Sequence, residues 1–319
     1  MNIISPSKKE IPELRYLTRE EVSKLLPPVV DQIDLAELTY RLMAEGKAEL
    51  PPKPGVHPRE NSFMHAMPAY LADLDVACIK WVSGFPANKN LGIPYISGVI
   101  VVNDCETGFP TGIMDAAEIT AARTAAASGV CVRRWAPENW KRAAIIGCGE
   151  QGRYHAKMLR ALNPLATIVG YDVIPDLVKT LGEGTLEAPT PVDAVKNADV
   201  IISAAPIVSN AVPVLNENAF GEHWLGLPVD FDAYFSQGLV RSADLLLTDD
   251  IGQFEAYRGH GYFTKWPTPQ ESVGQGLLQG KTGDRVLCCN LGVGALDATF
   301  GNAVLERAQS ENLGTILSR

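Results

Sequence analysis

The chain has 319 residues, 46% hydrophobic and 20% charged, the balance of a folded globular protein with material for two cores. Its formal net charge is −9 and no stretch gathers enough Lys and Arg to reverse that locally, which argues against nucleic acid or an anionic membrane as the main partner. Residues 1–16 lack an apolar core and the longest apolar runs are strand-sized, so neither a secretory signal nor a membrane span is expected.

Thr18 is a candidate N-cap for a helix over 20–26, and a second helical pattern runs over 33–45, with Leu35, Leu38 and Leu42 on one face and Gly46 as its stop. Pro51, Pro52, Pro54 and Pro58 then force an extended segment. Strand patterns follow at 62–67, 76–82 and 98–103. The turn signal D-C-E-T-G at 104–108 leads to a returning strand at 111–115. Residues 116–134 are Ala-rich and helical. From Ala143 the texture changes: strand 143–146, helix 151–162, strand 167–171, short helix 191–197, strand 200–203, and apolar runs at 225–229 and 245–247. A helical pattern returns over 291–308. This alternation predicts an α/β fold, a doubly wound parallel (Rossmann) sheet preceded by an α+β domain.

The segment A-A-I-I-G-C-G-E-Q-G sets Gly147, Gly149 and Gly152 in G-x-G-x-x-G spacing. The first glycine permits a tight turn, the second lets the backbone approach a pyrophosphate, and the third lets helix pack on strand. The motif follows an apolar strand and opens a helix, whose N-terminus offers free N–H groups and a positive dipole end. Asp172 closes the next strand, where a carboxylate accepts ribose hydroxyls and repels a 2′-phosphate. NAD is therefore favoured, with NADP left open because Arg153 lies near the turn. Ser203, Ala204, Ala205 and Pro206 follow a strand and fall at the sheet's carboxyl edge, where a bound cofactor runs.

Lys80 stands inside C-I-K-W-V, where alternation sets it on the face of Cys78 and Val82; a charge there is costly unless paired or functional. Arg123 lies among small residues in I-T-A-A-R-T-A-A-A-S, and its planar fork suits a carboxylate, whether of a substrate or of a structural ion pair. The six cysteines (Cys78, Cys105, Cys131, Cys148, Cys288 and Cys289) form no C-x-x-C pair and stand beside no histidine cluster, so no metal is expected. They read as small buried fillers in a reducing cytoplasm.

Taken in order, H-A-M-P-A-Y (65–70), I-K-W-V-S-G-F-P-A-N (79–88), the T-G-x-P turn (107–110), I-T-A-A-R-T-A-A-A-S (119–128), the glycine motif and V-D-F-D (229–232) resemble the ornithine cyclodeaminase/mu-crystallin family over nearly the whole chain. The resemblance implies a homodimer built through the first domain, which the last helix rejoins. Residues 1–125 with 291–319 would then form the substrate-binding and dimerisation domain, and 126–290 the Rossmann domain. It also implies that Lys80 and Arg123 hold a substrate carboxylate, with Lys53, or else Arg59, in the place of a second arginine. The catalytic carboxylate falls on Asp232, with Asp230 one alternate position away. Met67 and His65 join the substrate contacts. Cofactor contacts extend to Thr124, Glu150, Gln151, Val229 and Asp230.

The shared chemistry implied is hydride transfer between the Cα of an amino acid and nicotinamide, giving an imine. Lys80 supplies a cation and Asp232 a base. Ornithine-specific members carry a glutamate where this chain has His65, a poor partner for an ammonium. The expectation is therefore an imino-acid reductase or amino-acid dehydrogenase, with a ring-forming, ammonia-releasing cyclodeaminase second and a non-catalytic small-molecule binder third.

Overall fold

The computed structural model describes residues 10–51, 53–207 and 211–319; Pro52 and the first part of the N-terminal stretch, residues 1–9, lie outside it. The first half comprises β1 (Leu14–Leu17), α1 (Arg19–Leu25), α2 (Val29–Ala44), β2 (Ala48–Glu49), β3 (Gly55–Val56), β4 (Phe63–Leu71), β5 (Val76–Gly84), β6 (Ile96–Asn103), β7 (Pro110–Asp115) and α3 (Ala117–Trp135). The second half runs through β8 (Arg142–Ile146), α4 (Glu150–Leu162), β9 (Thr167–Tyr171), β10 (Leu186–Glu187), α5 (Pro191–Val195), β11 (Val200–Ser203), β12 (Trp224–Pro228), α6 (Gln237–Ser242), β13 (Leu245–Thr248), α7 (Ile251–Gly259), β14 (Glu271–Ser272), α8 (Val273–Gln279) and β15 (Arg285–Cys289). The chain closes with α9 (Gly294–Ser310) and β16 (Thr315–Leu317).

Two sheets result. The first has the order β16-β1-β7-β6-β5-β4-β2, with β3 also on β4. Only β1 and β7 pair in parallel among its described strands. The second, β10-β9-β8-β11-β12-β15-β13-β14, is parallel throughout. Its order runs outward in both directions from β8 and β11, so a crevice opens at their carboxyl ends, the switch point where doubly wound sheets bind ligands. Among the described residues no helix is long and apolar enough to cross a membrane.

Alternation on β5 turns Val76, Cys78, Lys80, Val82 and Gly84 inward. α9 packs across that face, close enough that a Cβ on Gly294 would stand 2.9 Å from the Met67 carbonyl oxygen. Along the outer face, Ala66 pairs with Trp81 and Trp81 with Val99, while Pro68, Ile79, Val101 and Ile113 continue the same apolar rows. Trp81 and Val99 are each 39% exposed, so among the described residues no element closes over this face.

Thr18 caps α1 in a reciprocal box with Glu21. α2 begins four positions before the expected 33, at Val29, because Pro28 supplies a preset φ at the N-cap and Asp31 favours the first turn. Its apolar face also differs from expectation. Ile33, Ala36 and Tyr40 are buried, whereas Leu38 is 40% exposed, since α3 and α9 meet α2 on the side a few positions round the helix. β1 and β16 are too short for a period-2 pattern to reveal them.

Candidate active site

The glycine turn lies between β8 and α4. Gly147 has φ +88°, and a Cβ there would come within 2.6 Å of the Ala204 carbonyl carbon and the Ala205 nitrogen. A Cβ on Gly152 would strike the Gly147 carbonyl oxygen. Gly149 differs: a Cβ there meets nothing within 4 Å, so the space above the turn is open. The first and third glycines are thus needed for the fold and the second keeps a cradle clear at the N-terminus of α4. Beside it the Gln151 carboxamide oxygen is buried without a hydrogen bond. Arg19 Nη2 lies 2.5 Å from Glu150 Oε1 and 2.8 Å from Glu118 Oε1, tying the first turns of α4 and α3 together. Thr124, half-buried on α3, donates to the Thr120 carbonyl oxygen at 2.7 Å.

Asp172 follows β9. Its Oδ2 accepts from the Cys148 N–H at 2.7 Å and its Oδ1 from the Ile174 N–H at 2.9 Å, which fixes the carboxylate and leaves each oxygen a further lone pair. Asp230 is 1% exposed; it accepts from the Ser203 hydroxyl and, at 3.0 Å, from the Ala205 N–H. Burial pushes its pKa up to about 7. It shapes the carboxyl edge from beneath, together with the Val229 N–H, which donates to the Ser203 carbonyl oxygen at 2.8 Å. Pro206 is exposed on that edge. This set fits a dinucleotide: a clear cradle, an unmet buried acceptor and a fixed carboxylate one strand away.

Facing inward from the first sheet is a cluster of charge. Lys80 is fully buried; its Nζ donates to Asp297 Oδ1 at 2.8 Å and to Thr120 Oγ1 at 3.4 Å. Arg123 Nε lies 3.3 Å from the same Asp297 oxygen, and the guanidinium covers Gly292, where a Cβ would collide with it. Lys53 Nζ donates to the Leu291 carbonyl oxygen at 3.1 Å and stands 5.7 Å from the centroid of the Tyr257 ring. Asp249, 1% exposed, accepts from the Leu291 and Gly292 N–H groups at 3.0 and 2.6 Å. Arg59 stays apart, exposed and bonded to its neighbour Pro58, so Lys53 is the residue that joins the cluster. Burial pushes Lys53 down to about 7 against the pull of Asp249, and burial with Arg123 pushes Lys80 down to about 8.

Met67 stands opposite Lys80 in the β4–β5 ladder, His65 opposite Val82. The His65 ring stacks on Phe63 with centroids 4.6 Å apart, and burial, then Lys53, holds its pKa near 4. Asp232 does not pair with the three cations; its Oδ2 accepts from the Phe263 N–H at 3.0 Å. Next to it in sequence, Phe231 packs edge-on against Tyr257 and Tyr262 and at a tilt against Phe263. Asp249 and Asp297 went unread in the sequence. Their only signal was a carboxylate in an otherwise apolar run (T-D-D and G-A-L-D-A), the same oddity that marked Lys80.

A doubly wound sheet with a phosphate-cradling turn, joined to a mixed sheet that presents buried cations, defines a two-domain dinucleotide-binding protein. Comparison narrows the class. Residues 14–235 match the ornithine cyclodeaminase/mu-crystallin family, and the chain belongs to that family. It is 34% identical to the nodulation efficiency protein NfeD of Rhizobium meliloti, over 97% of this chain and 99% of the relative. Among solved structures it resembles an archaeal alanine dehydrogenase dimer with bound NAD (TM-score 0.83, 25% identity, 96% of this chain and 99% of that one). It also resembles Thermococcus litoralis Δ1-pyrroline-2-carboxylate reductase in complex with NADH and L-proline (TM-score 0.81, 26% identity, 95% and 100%).

Proposed function

We propose that this protein is an NAD-dependent oxidoreductase that moves hydride between nicotinamide and the Cα of an amino acid or cyclic imine, as an imino-acid reductase or amino-acid dehydrogenase. One observation carries the reading: among the described residues Lys53, Lys80 and Arg123 converge around two carboxylates, Asp249 and Asp297, so the cluster lacks one negative charge that a substrate carboxylate supplies. The named activities of the alanine dehydrogenase and the pyrroline-carboxylate reductase support it.

The nicotinamide, when bound, accepts or returns the hydride. Lys80 and Arg123 grip the substrate carboxylate and Lys53 adds a third, point-like cation. Asp232, its Oδ2 fixed by the Phe263 N–H, uses Oδ1 to take the proton from the amine as the imine forms, and gives it back in reduction. Asp172 selects NAD over NADP by charge.

The bare apolar face around Trp81 supports a homodimer through the first sheet, and the division into 1–125 with 291–319 and 126–290 follows the two sheets. Six free thiols, five of them buried, suit a cytoplasmic setting. The test is oxidation of NADH by purified protein given keto acids with ammonium or methylamine, or cyclic imines. Substrate-dependent oxidation is expected. Ammonia released from diamino acids without net change in NADH would replace this reading with a cyclodeaminase.

A further inference from the structure

The β4–β5 ladder lays out a track away from the charge cluster. Met67 faces Lys80, His65 faces Val82 and Phe63 faces Gly84, all on the inner surface. Each two-residue step along a strand advances roughly 6.7 Å. A molecule held by its carboxylate at Lys80 therefore brings its substituent beside His65 first and Phe63 next. Each ring uses room left by a glycine: a Cβ on Gly55 would collide with the His65 ring, and one on Gly84 with the Phe63 ring. The rings stack at an interplanar angle of 24°. Beyond His65 stand Lys53 and His260, both of which act on its ring; Lys53 lies over the Tyr257 ring and His260 at that ring's edge, 6.3 Å away.

We propose that the substrate's Cα substituent is uncharged and carries an aromatic ring, which packs against the Phe63–His65 pair. The proposal rests on the oxidoreductase reading and names its substrate class. Charge excludes the alternatives. A distal ammonium needs a carboxylate, yet the charged or titrating neighbours that act on His65 are Lys53, His57 and His260. A distal carboxylate needs a second surplus cation, whereas the cluster has one and the α-carboxylate uses it; His65 stays neutral at pH 7. A substrate ring packed against the Phe63–His65 pair would extend an aromatic stack already in place.

The experiment compares kcat/KM of the full-length protein with NADH and ammonium for phenylpyruvate, pyruvate and oxaloacetate. In the reverse direction it uses NAD+ with L-phenylalanine, L-alanine, L-aspartate and L-ornithine. The aromatic members should lead by at least tenfold, and Phe63→Ala should narrow the phenylpyruvate-to-pyruvate ratio to below threefold. A lead for the dicarboxylates, ornithine or the alanine pair overturns the proposal while leaving the oxidoreductase reading intact. If none is turned over and no cyclic imine is reduced either, the oxidoreductase reading fails. Titration of the NADH-loaded protein with phenylpyruvate against oxaloacetate, followed by NADH fluorescence, then decides the substituent. Tighter phenylpyruvate upholds the proposal, and equal or tighter oxaloacetate overturns it.

Discussion

Lys80 Nζ lies 2.8 Å from Asp297 Oδ1, both side chains are sealed from solvent, and 217 residues of chain separate them. The same oxygen also meets Arg123 Nε, while Asp297 Oδ2 is buried without a partner. Burial and Arg123 drive the Lys80 pKa down and Asp297 opposes them, so this carboxylate keeps the lysine protonated. Asp297→Asn should shift the basic limb of the pH–rate profile to lower pH and cut kcat/KM at pH 7.5 at least tenfold. Stability should fall by about 3–5 kcal/mol, since two cations are left short of charge in a buried site. Rate profiles and calorimetry check both; an unmoved profile would make Asp297 a packing residue.

Gly149 offers a separation of folding from binding. Its Cβ position is empty and its backbone is extended, φ −71° and ψ −153°, so Gly149→Val should fold with an unchanged Tm. The added methyls would occupy the cradle, and NADH affinity measured by fluorescence should fall at least a hundredfold. Gly147→Ala, by contrast, should lose stability as well, because its φ is positive and its Cβ meets Ala204.

Asp172→Asn removes the charge and keeps an acceptor oxygen for one of the two neighbouring N–H groups. The ratio of NADH to NADPH affinity should drop at least tenfold, read from parallel titrations. An unchanged ratio would assign cofactor choice to other residues.

The lysines set a pH dependence. Burial brings Lys53 to about 7 and Lys80 to about 8, so both cations fade as pH climbs through that interval. KM for the carboxylate substrate should therefore rise from pH 7 to pH 9. A bound carboxylate favours the charged lysines, so binding at pH 8 should take up protons. Calorimetric titration in two buffers of different ionisation enthalpy measures the uptake.

Trp81 sits mid-row on the uncovered face, between Ala66 and Val99. Trp81→Glu places a charge in the proposed dimer seam and should halve the mass measured by light scattering. The far-UV spectrum should stay the same, because Trp81 lies on the outward face of β5, away from the buried side of the sheet.

Legibility in the sequence followed the range of the interaction. Gly147, Gly149 and Gly152 are constrained by their own turn and by one neighbouring loop, so a ten-residue window displayed them. Lys80 was visible because period-2 alternation is local, although what pairs with it was not. Asp297 and Asp249 were missed because their partners come from distant elements and carry no spacing rule. Leu38 looked like core because three leucines shared a helix stripe, yet the buried side of α2 is decided by where α3 and α9 arrive. Neither V-D-F-D nor its period separated Asp230 from Asp232. Burial does: one is occupied by Ser203 and Ala205, while the other is anchored through Phe263.

The span between Lys80 and Asp297 also governs how the molecule is made. The first sheet can pair its hairpins as soon as β4 to β7 have left the ribosome, but once α3 follows, Lys80 and Arg123 both point into a core that still lacks Asp297. Only when the whole parallel sheet has been synthesised does α9 deliver the missing carboxylate. The N-terminal half must therefore wait in an open state, and truncation before residue 297 should yield a chain that chaperones retain rather than a smaller working domain.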